Sequence, residues 1–206
     1  QNLADALGVE HSPYLGEPRI ISLVPSLTEL ICDLGLSANL VGRTGFCLHP
    51  RETLRLIVKV GGTKDVNVAK VRELSPTHLI ADKDENTREQ VTAMMDFVPH
   101  VIVVNPRMLD DNPRLYRLLG GVFRRDVTAA LLTERFEQAR TALTDTVSAL
   151  PRERVLYLIW REPWMTVARD TYLSRMLARV NLQTLPVLSG GDTGAARYPV
   201  VGGGEP

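Results

Sequence analysis

The chain has 206 residues, 44% of them hydrophobic and 23% charged, an ordinary balance for one large globular domain or two small lobes. Its 24 basic and 24 acidic residues cancel, which leaves no electrostatic footprint for a nucleic acid or an anionic membrane surface. No stretch approaches the roughly 20 apolar residues of a membrane-spanning helix, and Gln1 to Glu10 has neither the basic start nor the apolar core of an export signal, so a mature exported protein and a cytosolic one read alike here.

Arg19 to Val24 is a short β-branched run that suits a buried strand stopping at Pro25. Ser26-Leu-Thr-Glu29 has the spacing of a capping box and predicts a helix from Ser26 that Gly35 ends. Leu40 to Arg43 predicts a second strand, and Thr44 to Pro50 a loop. Val66 to Leu74 then reads as a helix, Thr77 to Ala81 as a strand, Asn86 to Phe97 as a helix and His100 to Val104 as a strand. Such alternation indicates parallel strands joined by right-handed crossovers. Asn112 to Phe123 is a further helix. Val127 to Leu150 is a long one, with Leu131, Phe136, Leu143 and Val147 at helical spacing. Beyond Pro151 the pattern restarts with a strand over Arg154 to Trp160 and a helix over Tyr172 to Val180. The glycine-rich stretches at Ser189 and after Val201 leave this last unit short of strands.

The fold class expected is therefore α/β, with residues 1–125 as a first lobe, 126–150 as an interlobe helix and 151–206 as a partial second lobe. Ligands of open α/β lobes sit beyond the carboxyl ends of the strands, which directs attention to the post-strand loops. No Gly-x-Ser-x-Gly elbow, dinucleotide or Walker glycine loop, or His-Glu-x-x-His pair is present. Asp82, Asp84 and Glu85 could act as general acid or base, with Lys64 nearby in function, but no nucleophile stands with a base. Cys32 reads as a small core residue and Cys47 as a loop residue, two free thiols rather than a disulfide. Cys47 and His49 offer two metal ligands where a protein site commonly needs three or four, and His11, His78 and His100 fall on other elements.

Several stretches together carry a resemblance: Asp5-Ala-Leu-Gly8, Arg19-Ile-Ile-Ser-Leu-Val-Pro-Ser-Leu-Thr-Glu29, Val41-Gly-Arg-Thr-Gly-Phe-Cys-Leu-His-Pro50, Val60-Gly-Gly-Thr-Lys64 and Asp84-Glu-Asn86. In these, over most of residues 2 to 188, the chain resembles the periplasmic-binding-protein superfamily for iron chelates and cobalamin, especially its helical backbone metal receptor branch. The resemblance implies two Rossmann-like lobes joined by one long helix, with little closure and ligand held in the cleft between them. It implies a substrate-binding receptor of an ABC-type importer, periplasmic or extracytoplasmic when mature, with permease and ATPase subunits as partners. The chain is then no enzyme and requires no cofactor; its ligand is a small-molecule metal chelate, namely cobalamin, another corrinoid or a ferric chelate. A cytoplasmic chelate carrier without a transporter, or a small α/β enzyme, is the alternative.

Carried onto this sequence, the implied ligand-binding residues are Pro25, Ser26, Phe46, His49, Thr63, Lys64, Asp82, Glu85, Asn86, Trp160, Arg161 and Trp164. Thr63 and Asp82 stand where cobalamin-binding relatives place aromatics, which favours a polar ligand periphery. The acids with which such relatives dock on a permease match Ala69, beside Lys70, and the stretch Gly202 to Glu205.

Overall fold

The computed structural model describes residues 2–191 and 195–202; of the expected docking stretch at Gly202 to Glu205, all but Gly202 lies outside the described residues. The chain divides into two compact units. The first holds the residues up to Asn105 together with Arg114–Leu132, the second Pro106–Pro113 and the chain from Thr133 onward.

In the first unit β1 (Ile20–Ser22), β2 (Leu40–Arg43), β3 (Val58–Lys59), β4 (His78–Asp82) and β5 (His100–Val104) form one parallel sheet in the order β3-β2-β1-β4-β5. The chain thus builds outward from β1 to β3, then returns to the other side of β1 for β4 and β5. Side chains alternate through the sheet as strand geometry requires. Ile20 and Ile80 point into one apolar layer with Leu27, Ile31, Leu119 and Phe123. Ile21, Leu23, Leu79 and Ala81 enter the opposite layer with Val71, Val91, Met94 and Val98. Burial on both faces explains the continuous apolar runs of β1 and β4.

The helix expected to open with a capping box at Ser26 instead has its N-cap two residues earlier. α1 runs Pro25–Asp33, Val24 is its N-cap, and no side chain caps it. Proline at the first helical position has no N–H to satisfy and a φ already suited to the helix, so Ser26 is drawn inside the first turn. Ser26 and Glu29 are both exposed there. Gly35 ends the helix as expected, with φ +77°.

Further along, α2 (Arg51–Leu54) and α3 (Val68–Glu73) precede β4, and Asn67 caps α3 by accepting from Lys70 N at 2.9 Å. α4 (Arg88–Met95) starts later than Asn86 because Thr87 is its cap and the Asn86 amide is engaged elsewhere. α5 (Asn112–Val122) ends just before the turn into the long helix.

At the amino end of β4, His78 is buried under Tyr14, whose ring meets it edge-on at 4.7 Å, and stacks on His100 at 4.7 Å. Burial first, then the neighbouring His100 and His11, hold the His78 imidazole down to about 3.

The long helix α6 (Asp126–Val147) has 22 residues, about 33 Å at the usual rise. Its expected apolar stripe is only partly correct: Leu131 and Leu143 are exposed, whereas Ala129 and Val147 are buried. Asn181 Nδ2 donates to the carbonyls of Val147 and Leu150, at 3.1 and 2.8 Å, where the helix stops.

In the second unit the strand expected over Arg154 to Trp160 is shorter. β6 (Glu153–Val155) pairs in parallel with β7 (Leu182–Thr184), and α7 (Tyr172–Ala178) lies between them in sequence. Pairing closes with Leu185 N on Val155 O at 2.9 Å; Pro186 follows and has no N–H to extend the ladder. Among the described residues no helix is long and apolar enough to cross a membrane.

Candidate functional site

The chain reverses direction between β1 and β4, and in an open α/β sheet a crevice forms beyond the carboxyl ends of the strands at such a reversal. The loops leaving β1, β2, β3 and β4 therefore build the candidate site of the first unit.

From β1 the chain enters α1 directly, presenting half-buried Pro25 and exposed Ser26. The loop after β2 is held from beneath. The buried Arg43 guanidinium donates to Leu54 O through Nε (3.1 Å) and Nη2 (2.9 Å), and to Thr44 O through Nη1 (3.1 Å). Thr28 Oγ1 lies 2.8 Å from Ser22 Oγ, and both it and Thr44 Oγ1 lie 3.1 Å from Cys47 Sγ. All four of these small polar side chains are buried. With Cys47 drawn inward, its neighbours Phe46, Leu48 and His49 are left outward, Phe46 with 63% of its surface exposed.

The loop after β3 is joined to this one by Gly45 N on Gly61 O at 2.7 Å. Gly61 has φ +112°, and a β-carbon there would stand 2.3 Å from Asp65 O, so no other residue fits the turn. At Gly62 a β-carbon would be 3.4 Å from Phe46 Cε2; the phenyl ring lies against bare backbone.

Thr63, Lys64, Asp82 and Asn86 come together as a clamp between the loops after β3 and β4. Asn86 Nδ2 donates to Thr63 O (2.9 Å) while its Oδ1 accepts from Asp82 N (2.9 Å). The Lys64 ammonium donates to Asp84 O. Asn86 is thus buried and committed to joining two loops, and Glu85 contributes its amide while its side chain is exposed. Asp82 is 8% exposed, and its Oδ1 accepts from the amides of Asp84 (2.8 Å) and Glu85 (3.1 Å). Burial pushes its carboxyl up to about 6 against the pull of those two amides, and the Asp84 and Glu85 carboxylates push the same way as burial.

The remaining predicted residues belong to the second unit. A turn closes between Trp160 and Met165, with Met165 N on Trp160 O at 3.1 Å and Ile159 N on Met165 O at 2.9 Å. Trp160 and Trp164 are 63% and 48% exposed. Arg161 bonds Glu162 at 3.4 Å and holds its guanidinium 5.8 Å from the Trp164 ring centre. Among the described residues no group of three or more His, Cys, Asp or Glu is arranged to hold a metal ion. The docking position Ala69 is exposed on α3.

Reading the sequence alone missed the buried set of Ser22, Thr28, Thr44 and Cys47 and the obligatory Gly61. Val60-Gly-Gly was visible as a turn; the hydroxyls gave no signal, because each is an unremarkable small residue until the fold gathers it.

The vitamin B12-binding protein of Pectobacterium carotovorum subsp. carotovorum (strain PC1) is 23% identical over 167 residues, which cover 80% of this chain and 60% of that protein. The periplasmic vitamin B12 binding protein of Vibrio cholerae matches in structure with a TM-score of 0.79 at 21% identity, over 89% of this chain and 70% of that one. The periplasmic heme-binding protein of Roseiflexus sp. RS-1 matches with a TM-score of 0.77 at 22% identity, over 90% and 71%. The chain spans about 60% of the length of the first of these relatives, and the structural likeness is one of fold. A family profile described as periplasmic binding protein matches residues 20–193.

Proposed function

Because the chain belongs to the periplasmic binding protein family, we propose that it is the substrate-binding receptor of an ABC-type importer for a metal chelate, with cobalamin or another corrinoid as the ligand. The observation that carries this reading is the built edge of the first unit, where an exposed Phe46 stands over bare backbone beside the Thr63, Asn86 and Asp82 clamp. An aromatic face with a few fixed polar groups is what orients a flat, polar-rimmed ligand. Pro25, Ser26, Lys64 and Glu85 border the same edge; in the second unit, Trp160, Arg161 and Trp164 form an exposed turn of aromatic and cationic side chains. On this reading the receptor is extracytoplasmic, binds and releases its ligand, and passes it to permease and ATPase subunits; membership of the periplasmic binding protein family supports it.

Calorimetric titration of the whole chain with vitamin B12 and with cobinamide tests the proposal, with native mass spectrometry of the mixture alongside. One equivalent bound and recovered unchanged is the expected result. A chemically altered chelate after incubation, or the absence of any complex, overturns it.

A further inference from the structure

Metal chelates of the proposed class divide by the chemistry of their rims, some edged with carboxylates and some with amides. We propose that Asp82 is the residue that discriminates between them, so that the chain selects a chelate rimmed by hydrogen-bond donors over one rimmed by carboxylates. The inference rests on the receptor reading above and adds the ligand's rim chemistry to it.

Asp82 is the last residue of β4, level with Val104 of β5. On its other side β1 pairs with β4 through Ser22 and Ile80, so continuing that register by two residues brings Asp82 beside Val24, where α1 begins. This is the reversal point of the sheet. One carboxylate oxygen, Oδ1, is held by two backbone amides, which fixes the plane of the group. The other, Oδ2, has no hydrogen-bond donor among the described residues, yet it is not among the atoms sealed from solvent. A carboxyl group that is nine-tenths buried, oriented by its own loop and open at one oxygen is an acceptor waiting for a donor.

The surroundings add acceptors, and two of the nearby donor groups are already engaged. The Asn86 amide is used by Thr63 O, and the Lys64 ammonium by Asp84 O. Asn105, one residue beyond Val104, keeps its Oδ1 buried without a donor. Charge points the same way. The Asp84 and Glu85 carboxylates share the loop with Asp82, where Lys83 is exposed; Val24 and Val104 bring no charge from the neighbouring strands, and Lys64 comes from the β3–α3 loop. A carboxylate brought to this edge meets like charge, whereas an amide N–H meets an unfilled acceptor. Since burial pushes the Asp82 carboxyl up to about 6, the discrimination is strongest above that value. Below it the protonated group becomes a donor and tolerates a carboxylate.

The test uses vitamin B12 as the amide-rimmed probe and hemin as the carboxylate-rimmed one, titrated into the parent chain, Asp82→Asn and Asp82→Glu at about pH 8 and about pH 5, on either side of the carboxyl's transition. In the parent, the preference for vitamin B12 over hemin should fall by about tenfold from the higher to the lower pH, the effect of roughly one like-charge contact. Asp82→Asn should show the weaker preference at both values, and Asp82→Glu should restore the dependence. Comparison with the asparagine variant removes the titration of hemin's own carboxylates. Equal pH dependence in the parent and Asp82→Asn overturns this inference alone; failure of both probes to bind overturns the receptor reading with it.

Discussion

Trp164 and Gly61 carry opposite kinds of prediction, one about a side chain that reaches out and one about a side chain that cannot be there. The Trp164 indole is half exposed, and a large ring with a donor on a polar turn is the type of group that dominates ligand affinity. Trp164→Ala should therefore weaken chelate binding by about 2 kcal/mol, roughly 30-fold, and by more than Phe46→Ala or His49→Ala. Calorimetry on the three variants measures this, and unchanged binding by Trp164→Ala with retained circular dichroism removes that turn from the site. Gly61→Ala places a methyl group 2.3 Å from Asp65 O at a φ of +112°. It should lower unfolding stability by about 2 kcal/mol or more, and a denaturation midpoint equal to the parent's would refute the strained turn. At this scale Phe46 and Lys64 were legible as residues of the loops after β2 and β3, whereas Asp82 closes β4 itself and Trp164 lies nine residues past the end of β6. Cys47 was legible only as a loop residue, because its burial depends on Thr28 arriving from α1 as well as on Thr44 of its own loop.

Elements were legible in proportion to their length and burial. β4 and β5 are five-residue runs against a covered face, and their apolar content marks them without help from neighbours. β3 has two residues and β7 three, too few for any periodicity to show. The N-cap of α1 falls two residues before Ser26 because the capping-box spacing and the proline signal compete, and the proline fixes backbone geometry while Ser26 offers only one hydrogen bond. The strand over Arg154 to Trp160 has the right residues, but a strand needs a partner, and β7 provides one for only three of them. Leu156 to Trp160 are consequently exposed. Along α6 the sequence shows apolar residues on several faces, and which face is buried is decided by packing rather than by the helix itself.

For the molecule as a whole, the parallel sheet and its order bring Pro25, Phe46, Thr63, Asp82 and Asn86 to the carboxyl ends of the strands in the first unit, and β4 links that edge to the opposite one. His78 opens the strand and Asp82 closes it. The native His78 stays neutral down to about 3, whereas an unfolded histidine takes up its proton near about 6.5. Its contribution to stability is present above that value and is lost as the pH falls from there. Native Asp82 takes up its proton at about 6, ahead of an unfolded aspartate near about 3.9, so its contribution grows as the pH falls across that interval. Each slope is about 1.4 kcal/mol per pH unit and the two have opposite sign between about pH 4 and 6. The strand titrates against itself, and the two end groups together leave stability level across that window. Replacing either end should unmask the other: Asp82→Asn should lose stability on acidification, and His78→Leu should gain it. Denaturant unfolding of the parent and both variants at about pH 4, 5 and 6 reads the slopes directly. Parallel profiles for all three would mean that the ends of β4 do not compensate. If the slopes do diverge, acidification can change the charge beside the ligand without loosening the sheet that presents it.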